Sequence, residues 1–118
     1  MLVFATPGEA VLVVTEDEWI FSNRAFEDPD VTIQSSTLSF ILNICDWFAN
    51  GGTGRFLVYS DNFGLRESDL ATVVTSLPGL PHHSWTVSTS GPFDLATLST
   101  YDGVFLAGTA NGGVPDNQ

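Results

Sequence analysis

The chain has 118 residues, 43% hydrophobic and 14% charged, and its 14 acids against three arginines give a net charge of −11. This length and apolar content predict a single domain over residues 1–118 that buries enough surface to offset the entropy of folding. The acidity disfavours nucleic acids and anionic membranes as partners, because both are bound mainly through cations. The absence of lysine excludes Schiff-base chemistry and a P-loop.

A single cysteine, Cys45, excludes an internal disulfide and a zinc site built from several cysteines. The start of the chain lacks the positive charge and the length of a signal peptide, and no apolar run reaches the roughly 18 residues of a membrane span. We therefore expect a soluble domain, whose compartment the sequence leaves open.

The first predicted strand covers about residues 10–15, where the run Ala-Val-Leu-Val-Val is typical of a parallel strand covered on both faces. Residues 16–36 are predicted to form a long polar connection, which begins in an acidic cluster. This connection contains the apolar triplet 19–21, Trp-Ile-Phe. Such a triplet in a loop either plugs the core or marks a contact surface.

A helix is predicted over residues 37–50, because apolar residues that include Leu38, Ile41 and Cys45 recur there at spacings of three and four. Ser35 or Ser36 is the expected N-cap, and the sequence Asn-Gly-Gly at 50–52 is the expected left-handed stop. The place of Cys45 on the apolar stripe favours a core residue over a nucleophile.

The second predicted strand, residues 55–60, is followed by a second helix over about 67–77. The third strand, residues 84–89, alternates apolar and polar side chains, which predicts an edge position with one wetter face. A short helix over 94–100 begins at Asp94, and a fourth strand, 103–107, opens into the Gly-rich tail 108–118.

This alternation of strands and helices predicts right-handed parallel crossovers. We expect a three-layer, flavodoxin-like fold: a mainly parallel four-stranded sheet in the order 3-2-4-1, with helices on both faces. No helix is predicted after the fourth strand. The chain is therefore expected either to belong to a longer unit or to cover its open flank by self-association.

Two pairs of segments resemble glutamine-amidotransferase-like domains. Residues 11–23 (VLVVTEDEWIFSN) with 38–48 (LSFILNICDWF) are similar to the closing strand and helix of such a domain, and residues 55–64 with 101–108 are similar to its opening half. The resemblance implies a flavodoxin-like topology. Enzymatic members place a nucleophilic cysteine on a strand-to-helix elbow, whereas this chain has no Gly-x-Cys-x-Gly motif and Cys45 lies within a predicted helix. The resemblance therefore implies a non-catalytic branch.

Carboxylates follow two predicted strands at the edge where open α/β sheets hold ligands. Glu16, Asp17 and Asp61 are the candidate ligands for Ca²⁺ or Mg²⁺, since these hard cations prefer oxygen ligands. The alternative interpretation is a solvated acidic loop.

The loops after the second and fourth strands supply a candidate site for a small polar ligand or an anion. Ser60, Asn62, Gly108 and Thr109 are its predicted residues, because backbone amides in such loops bind anions. The alternative is that the glycines serve only the turns.

His82 and His83 precede the third strand at its amino end, which is the wrong end for an α/β active site, so we interpret them as an exposed loop pair. Neither Ser22 nor Ser60 lies in a Gly-x-Ser-x-Gly motif.

These observations favour a non-enzymatic α/β interaction module of unknown process that forms a homo-oligomer or binds a protein partner. The alternative function is the binding of a small ligand or a divalent metal by the acidic loops at the strand ends. A hydrolase that uses Ser60 or the two histidines ranks last, because the predicted strand ends separate these groups.

Overall fold

A computed structural model of the chain describes residues 2–6, 9–13, 18–60, 63–88 and 90–107. The elements in chain order are β1 (Leu2–Thr6), β2 (Glu9–Val13), a 3-10 helix (Glu18–Phe21), α1 (Asn23–Phe26), α2 (Val31–Phe48), β3 (Arg55–Val58), α3 (Phe63–Arg66), α4 (Ser68–Ser76), β4 (Ser84–Val87), α5 (Leu95–Leu98) and β5 (Gly103–Phe105). The protein is therefore mixed α/β. None of the described helices combines the length and the apolarity needed to cross a membrane.

The strands form one mixed sheet in the order β2-β1-β5-β3-β4. β3 pairs in parallel with β4 and β5, whereas β1 pairs antiparallel with β2 and β5. The prediction of a mainly parallel four-stranded sheet is wrong in two respects: the described residues form five strands, and only three of them are parallel. The predicted order 3-2-4 of the second to fourth predicted strands agrees with the observed order β4-β3-β5. β4 lies at the edge of the sheet, as its alternation of apolar and polar side chains predicts.

The missed strand is β1. It pairs with β2 from Leu2 opposite Val13 to Thr6 opposite Glu9, so only two residues separate the paired ends. A connection this short permits antiparallel pairing alone, because a parallel crossover needs a dozen or more residues. β1 therefore inserts between β5 and the strand predicted over residues 10–15.

The helix α2 begins at Val31, six residues before the predicted start. Its N-cap is Asp30, whose Oδ1 accepts the Thr32 N–H at 2.8 Å, rather than Ser35 or Ser36. The predicted polar connection 16–36 instead contains the 3-10 helix, α1 and the first turn of α2. At the other end, Asn50 has a φ of 50° and Gly51 a φ of 75°, which confirms the left-handed stop.

Two groups of apolar side chains cover the two faces of β3, because successive residues of a strand point to opposite faces. Phe56 and Val58 pack into the larger cluster, which takes its other residues from the 3-10 helix, α2, α3, α4 and β5: Phe21, Ile41, Ile44, Cys45, Phe48, Leu65, Leu70, Val74 and Phe105. Leu57 and Tyr59 pack with Val104 and Leu106 beneath the segment 93–101. Each buried side chain of this size contributes roughly 1.5–3 kcal/mol. The full three-layer arrangement stays a prediction.

Candidate functional site

Ser60 lies at the carboxyl end of β3, where the sequence predicts a ligand site. It is fully buried, and its Oγ donates to the Ala107 carbonyl at 3.3 Å. The Tyr59 N–H also donates to the Phe105 carbonyl at 2.9 Å. The chain leaving β3 is thus joined to the chain leaving β5, as expected for neighbouring parallel strands. The buried serine hydroxyl therefore links the chain after β3 to the chain after β5.

The other six residues of the two candidate sites lie outside the described residues: Glu16, Asp17, Asp61, Asn62, Gly108 and Thr109. The metal site and the ligand site therefore stay predictions. Within the described ranges, no three His, Cys, Asp or Glu side chains are grouped to hold a metal ion.

The apolar triplet 19–21 is divided between the core and the surface. Phe21 is buried, stacks on Phe40 at a centroid distance of 6.0 Å and meets Phe105 edge-on at 6.2 Å. Trp19, two residues earlier, is 45% exposed. Ser22 fixes this turn, since its Oγ donates to the Trp19 carbonyl at 2.8 Å. Both interpretations of the triplet thus apply, each to a different residue.

Asn23 attaches this segment to the start of α4. Its backbone N–H donates to Glu67 Oε2 at 2.5 Å, its Nδ2 donates to Ser68 Oγ at 3.2 Å, and its Oδ1 accepts the Asp69 N–H at 3.0 Å. The three bonds join residues that are more than 40 positions apart in the sequence. They fix the segment around Trp19 to the start of α4. The sequence contains no signal for them beyond residue types that commonly cap helices.

Four large apolar side chains on α2 are exposed to solvent: Val31, which is 73% exposed, and three that lie on another flank of the helix. Ile33 is 45% exposed, Phe40 38% and Trp47 60%, and they follow one another at intervals of seven residues. Seven residues are almost two turns, so the three side chains form one line along the helix, which we call the α2 stripe. Its seven-residue spacing is visible in the sequence, and the sequence reasoning missed it.

The α2 stripe borders a groove of about 340 Å³ between α2 and the segment 18–26. Trp19, Arg24 and Ile33 line it, together with Ile20, Ala25, Asp28 and Thr37. The Arg24 guanidinium lies over the Trp19 ring at 5.6 Å, a cation–π contact. The stripe therefore continues at one end into a surface that carries an exposed tryptophan and one of the three arginines.

The stripe lies on the flank of α2 that faces away from α4. On the opposite flank, Val31 and Leu38 line a second groove, of about 370 Å³, against Thr72 and Leu77 of the α4 region. Leu38 and Phe40 are about half a turn apart on the helix. Since α4 lies next to β4, the stripe points toward the β5 and β1 side of the sheet.

The stripe itself contains no charged residue, although Arg24 and Asp28 line the groove that it borders. Asp46 is the one ionisable side chain among the 18 residues of α2 apart from the buried Cys45, although the chain as a whole carries a net charge of −11. The other exposed residues of α2 are apolar or neutral polar, such as Ser36, Ser39 and Asn43.

Cys45 is fully buried, and burial raises the pKa of its thiol from 9.0 to about 12. This confirms the interpretation of Cys45 as a core residue, because a thiol nucleophile reacts as the thiolate.

The interpretation of the two histidines as an exposed pair is wrong for His83. His82 is exposed, whereas His83 is buried, and its Nδ1 accepts the Gly54 N–H at 2.9 Å. Its ring meets Phe56 edge-on at 5.2 Å. His83 lies at the amino end of β4 and Ser60 beyond the carboxyl end of β3, so about 20 Å of parallel strand separates them. The structure does not bring these two residues together as a hydrolase would require.

Comparison with protein-family models, with curated proteins and with solved structures finds no match for this chain.

Proposed function

We propose that this protein is a non-enzymatic interaction module that self-associates through the α2 stripe. The observation that supports it is a line of three large apolar side chains, each more than a third exposed, on the longest helix. Large apolar side chains exposed along one line of a helix favour a contact surface over a purely solvated face. Trp47, the most exposed of the three, belongs to the residue type most enriched among binding hot spots.

The charge distribution favours a second copy as the partner. A basic partner would bind where acids are concentrated, whereas the stripe adjoins only Asp46 on α2. Two copies, each with a net charge of −11, repel each other, and this repulsion is smallest when their uncharged faces meet. The face of α2 that contains the stripe meets both conditions, since it is apolar and nearly uncharged.

The dimensions of α2 suit a reversible dimer. Its 18 residues span about 27 Å. Packed helices lie 8–10 Å apart, so a pair of α2 helices, with the side chains on both sides of the contact, covers a strip about 20 Å wide. Over the length of α2 this strip amounts to roughly 550 Å² per copy. Stable interfaces bury about 600–1,000 Å² per partner. We therefore expect an association that depends on concentration.

The seven-residue spacing also suits helix pairing. Side chains spaced by seven drift by only about 20° per interval and stay in contact along a helix pair that crosses at about 20°. Ser36 and Asn43 lie beside the stripe at the same spacing, and their small side chains permit close approach.

We also infer that the scaffold is a flavodoxin-like unit, similar to glutamine-amidotransferase-like domains and without their activity. The adjacent parallel strands β4, β3 and β5, with α4 between β3 and β4 in sequence, support this inference. The burial of Cys45 within a helix supports the absence of catalysis.

Light scattering after size-exclusion chromatography, over a range of protein concentrations, tests the proposed association. We expect the mass of the wild-type protein to rise from monomer toward dimer with concentration. Trp47→Ser should move this transition at least tenfold higher in concentration. Leu95→Ser is the matched control, because Leu95 is 81% exposed but lies on α5. A monomer at every concentration, or an equal effect of both variants, would contradict the proposal.

Disulfide cross-linking tests which surface is used. Ser36→Cys should form a covalent dimer under mild oxidation, because Ser36 lies beside the stripe. Ser76→Cys, at the end of α4, is the control that should not cross-link. Cys45 does not interfere, since it is buried and its thiol pKa is about 12. Equal cross-linking of both variants would place the contact elsewhere.

A further inference from the structure

Two titratable side chains hold the amino end of the central strand β3. His83 Nδ1 accepts the Gly54 N–H at 2.9 Å, and Asp102 Oδ2 accepts the next amide, the Arg55 N–H, at 2.7 Å. His83 comes directly before β4 and Asp102 directly before β5. Side chains that precede both neighbouring strands thus accept hydrogen bonds from the amino end of β3. We call these two acceptors the β3 clamp.

His83 also attaches α4 to the sheet. Its backbone N–H donates to the Val74 carbonyl in α4 at 3.1 Å, and the following residue, Ser84, donates its N–H to the Gly54 carbonyl at 2.9 Å. His83 therefore contacts β3 through its imidazole and α4 through its backbone N–H, directly before β4. Disturbing it affects all three elements.

The bond from Gly54 requires a neutral imidazole. Nδ1 accepts a hydrogen bond only when it carries no proton, whereas the imidazolium is a donor at both nitrogens. Protonation would place two donors face to face and leave the buried Gly54 N–H without its acceptor. The surroundings are tight: a Cβ added at Gly54 would lie 2.9 Å from the Phe56 ring and 3.0 Å from the Ala49 Cβ. Little space exists there for the bond to rearrange.

The charged groups near His83 act in opposition to its burial. Burial lowers the pKa of His83 below 6.5, whereas Asp46 at the end of α2 and Asp102 in the clamp raise it. Arg55 and His82, the neighbours in sequence of Gly54 and His83, are both exposed, and the described part of α4 near Val74 adds no charge to the contact. Burial dominates, so the folded protein keeps His83 neutral at pH 7.

We propose that the β3 clamp is an acid-sensitive latch: uptake of a proton by His83 releases Gly54 and loosens α4 and β4 from the sheet. A neutral histidine in the fold and a protonated one in the opened chain mean that the opened state binds more protons in mild acid. The free energy of opening is therefore highest above the ordinary histidine pKa of 6.5 and decreases as the pH falls below it.

NMR titration of the full chain tests the latch directly, because the chain contains only two histidines. We expect the imidazole of His83 to titrate below the ordinary histidine pKa of 6.5. We also expect amide exchange at Gly54 and Ser84, corrected for its intrinsic pH dependence, to accelerate by up to about tenfold between pH 7.5 and 5.5.

Two variants separate the latch from general acid denaturation. His83→Asn keeps an acceptor near the position of Nδ1 but does not titrate, so it should abolish the acid-dependent exchange at Gly54. His82→Asn should leave that exchange unchanged. Asp46→Asn should move the titration of His83 to a still lower pH.

Three results would overturn the proposal: a pKa of His83 at or above 6.5, acid-dependent exchange that persists in His83→Asn, or acid-dependent exchange that His82→Asn removes. If His83→Asn does not fold, the wild-type titration and the Asp46→Asn variant still decide the question.

Discussion

Neighbouring residues in this chain often lie in opposite environments, and the side-chain type does not reveal which. Trp47 is 60% exposed, whereas Phe48 beside it is 4% exposed. His82 lies in solvent and His83 in the interior. In each pair a step of one residue turns the side chain by about 100° on a helix or by half a turn on an extended chain. Exposed and buried side chains are therefore adjacent in the sequence.

Cys45 provides a prediction at the scale of one residue. In the folded protein at pH 7.5, a thiol reagent such as Ellman's reagent should react with it at least 100-fold more slowly than in the unfolded chain. The reason is that the thiol is fully buried and its pKa is raised to about 12, so the thiolate is scarce and inaccessible. Reaction in denaturant is the control. Comparable rates in both states would show that Cys45 is not a core residue.

At the scale of elements, two flanks of α2 lie in different surroundings. Ile41, Ile44 and Phe48 pack against the sheet, and the α2 stripe is partly exposed to solvent. The apolar arc of this helix is therefore wider than the core requires. Such an excess is expected of a helix that packs on its own sheet and also on a partner.

The N-terminus of α2 provides a prediction for an element. Asp30→Ala should lower the free energy of unfolding by about 1 kcal/mol, since it removes the side-chain acceptor of the Thr32 N–H. Asp30→Ser is the matched control, because serine retains an N-cap acceptor and should stay within about 0.5 kcal/mol of the wild-type protein. Urea denaturation followed by circular dichroism measures both variants. A loss in Asp30→Ser as large as in Asp30→Ala would mean that the cap does not stabilise α2.

At the scale of the whole molecule, charge opposes both folding and association. Fourteen acids against three arginines leave most carboxylates without a cationic partner, and their mutual repulsion decreases as salt screens it. The α2 stripe itself contains no charged residue. In the proposed dimer, a contact through this stripe would therefore bring few like charges together.

Salt should raise the melting temperature. Between 0.05 M and 0.5 M NaCl we expect an increase of several degrees, because the folded chain has the higher charge density. Thermal melts followed by circular dichroism measure it. CaCl₂ and MgCl₂ at matched ionic strength form the comparison: an additional increase would favour a divalent-metal site at the predicted Glu16, Asp17 and Asp61. A melting temperature that is independent of NaCl would contradict the role given to charge repulsion.

The sequence alone determined the α/β class, most of the element positions and the core role of Cys45. Periodicity is a local property, and the core-facing side of α2, the helix at 67–77 and the strands at 55–60 and 103–107 each carry it within one segment. The left-handed stop at Asn50 and Gly51 was also predictable, since few residues adopt a positive φ without strain.

Tertiary structure decided the direction of the first strands, the burial of His83 and the exposure of the α2 stripe. β1 became visible only through its pairing with β2 and β5, and its residues alone do not specify antiparallel neighbours. His83 is buried because Gly54 offers it a donor from 29 residues away. Whether an apolar helical residue meets the sheet or the solvent depends on where the sheet lies. That position follows from contacts between distant segments, which no local pattern encodes.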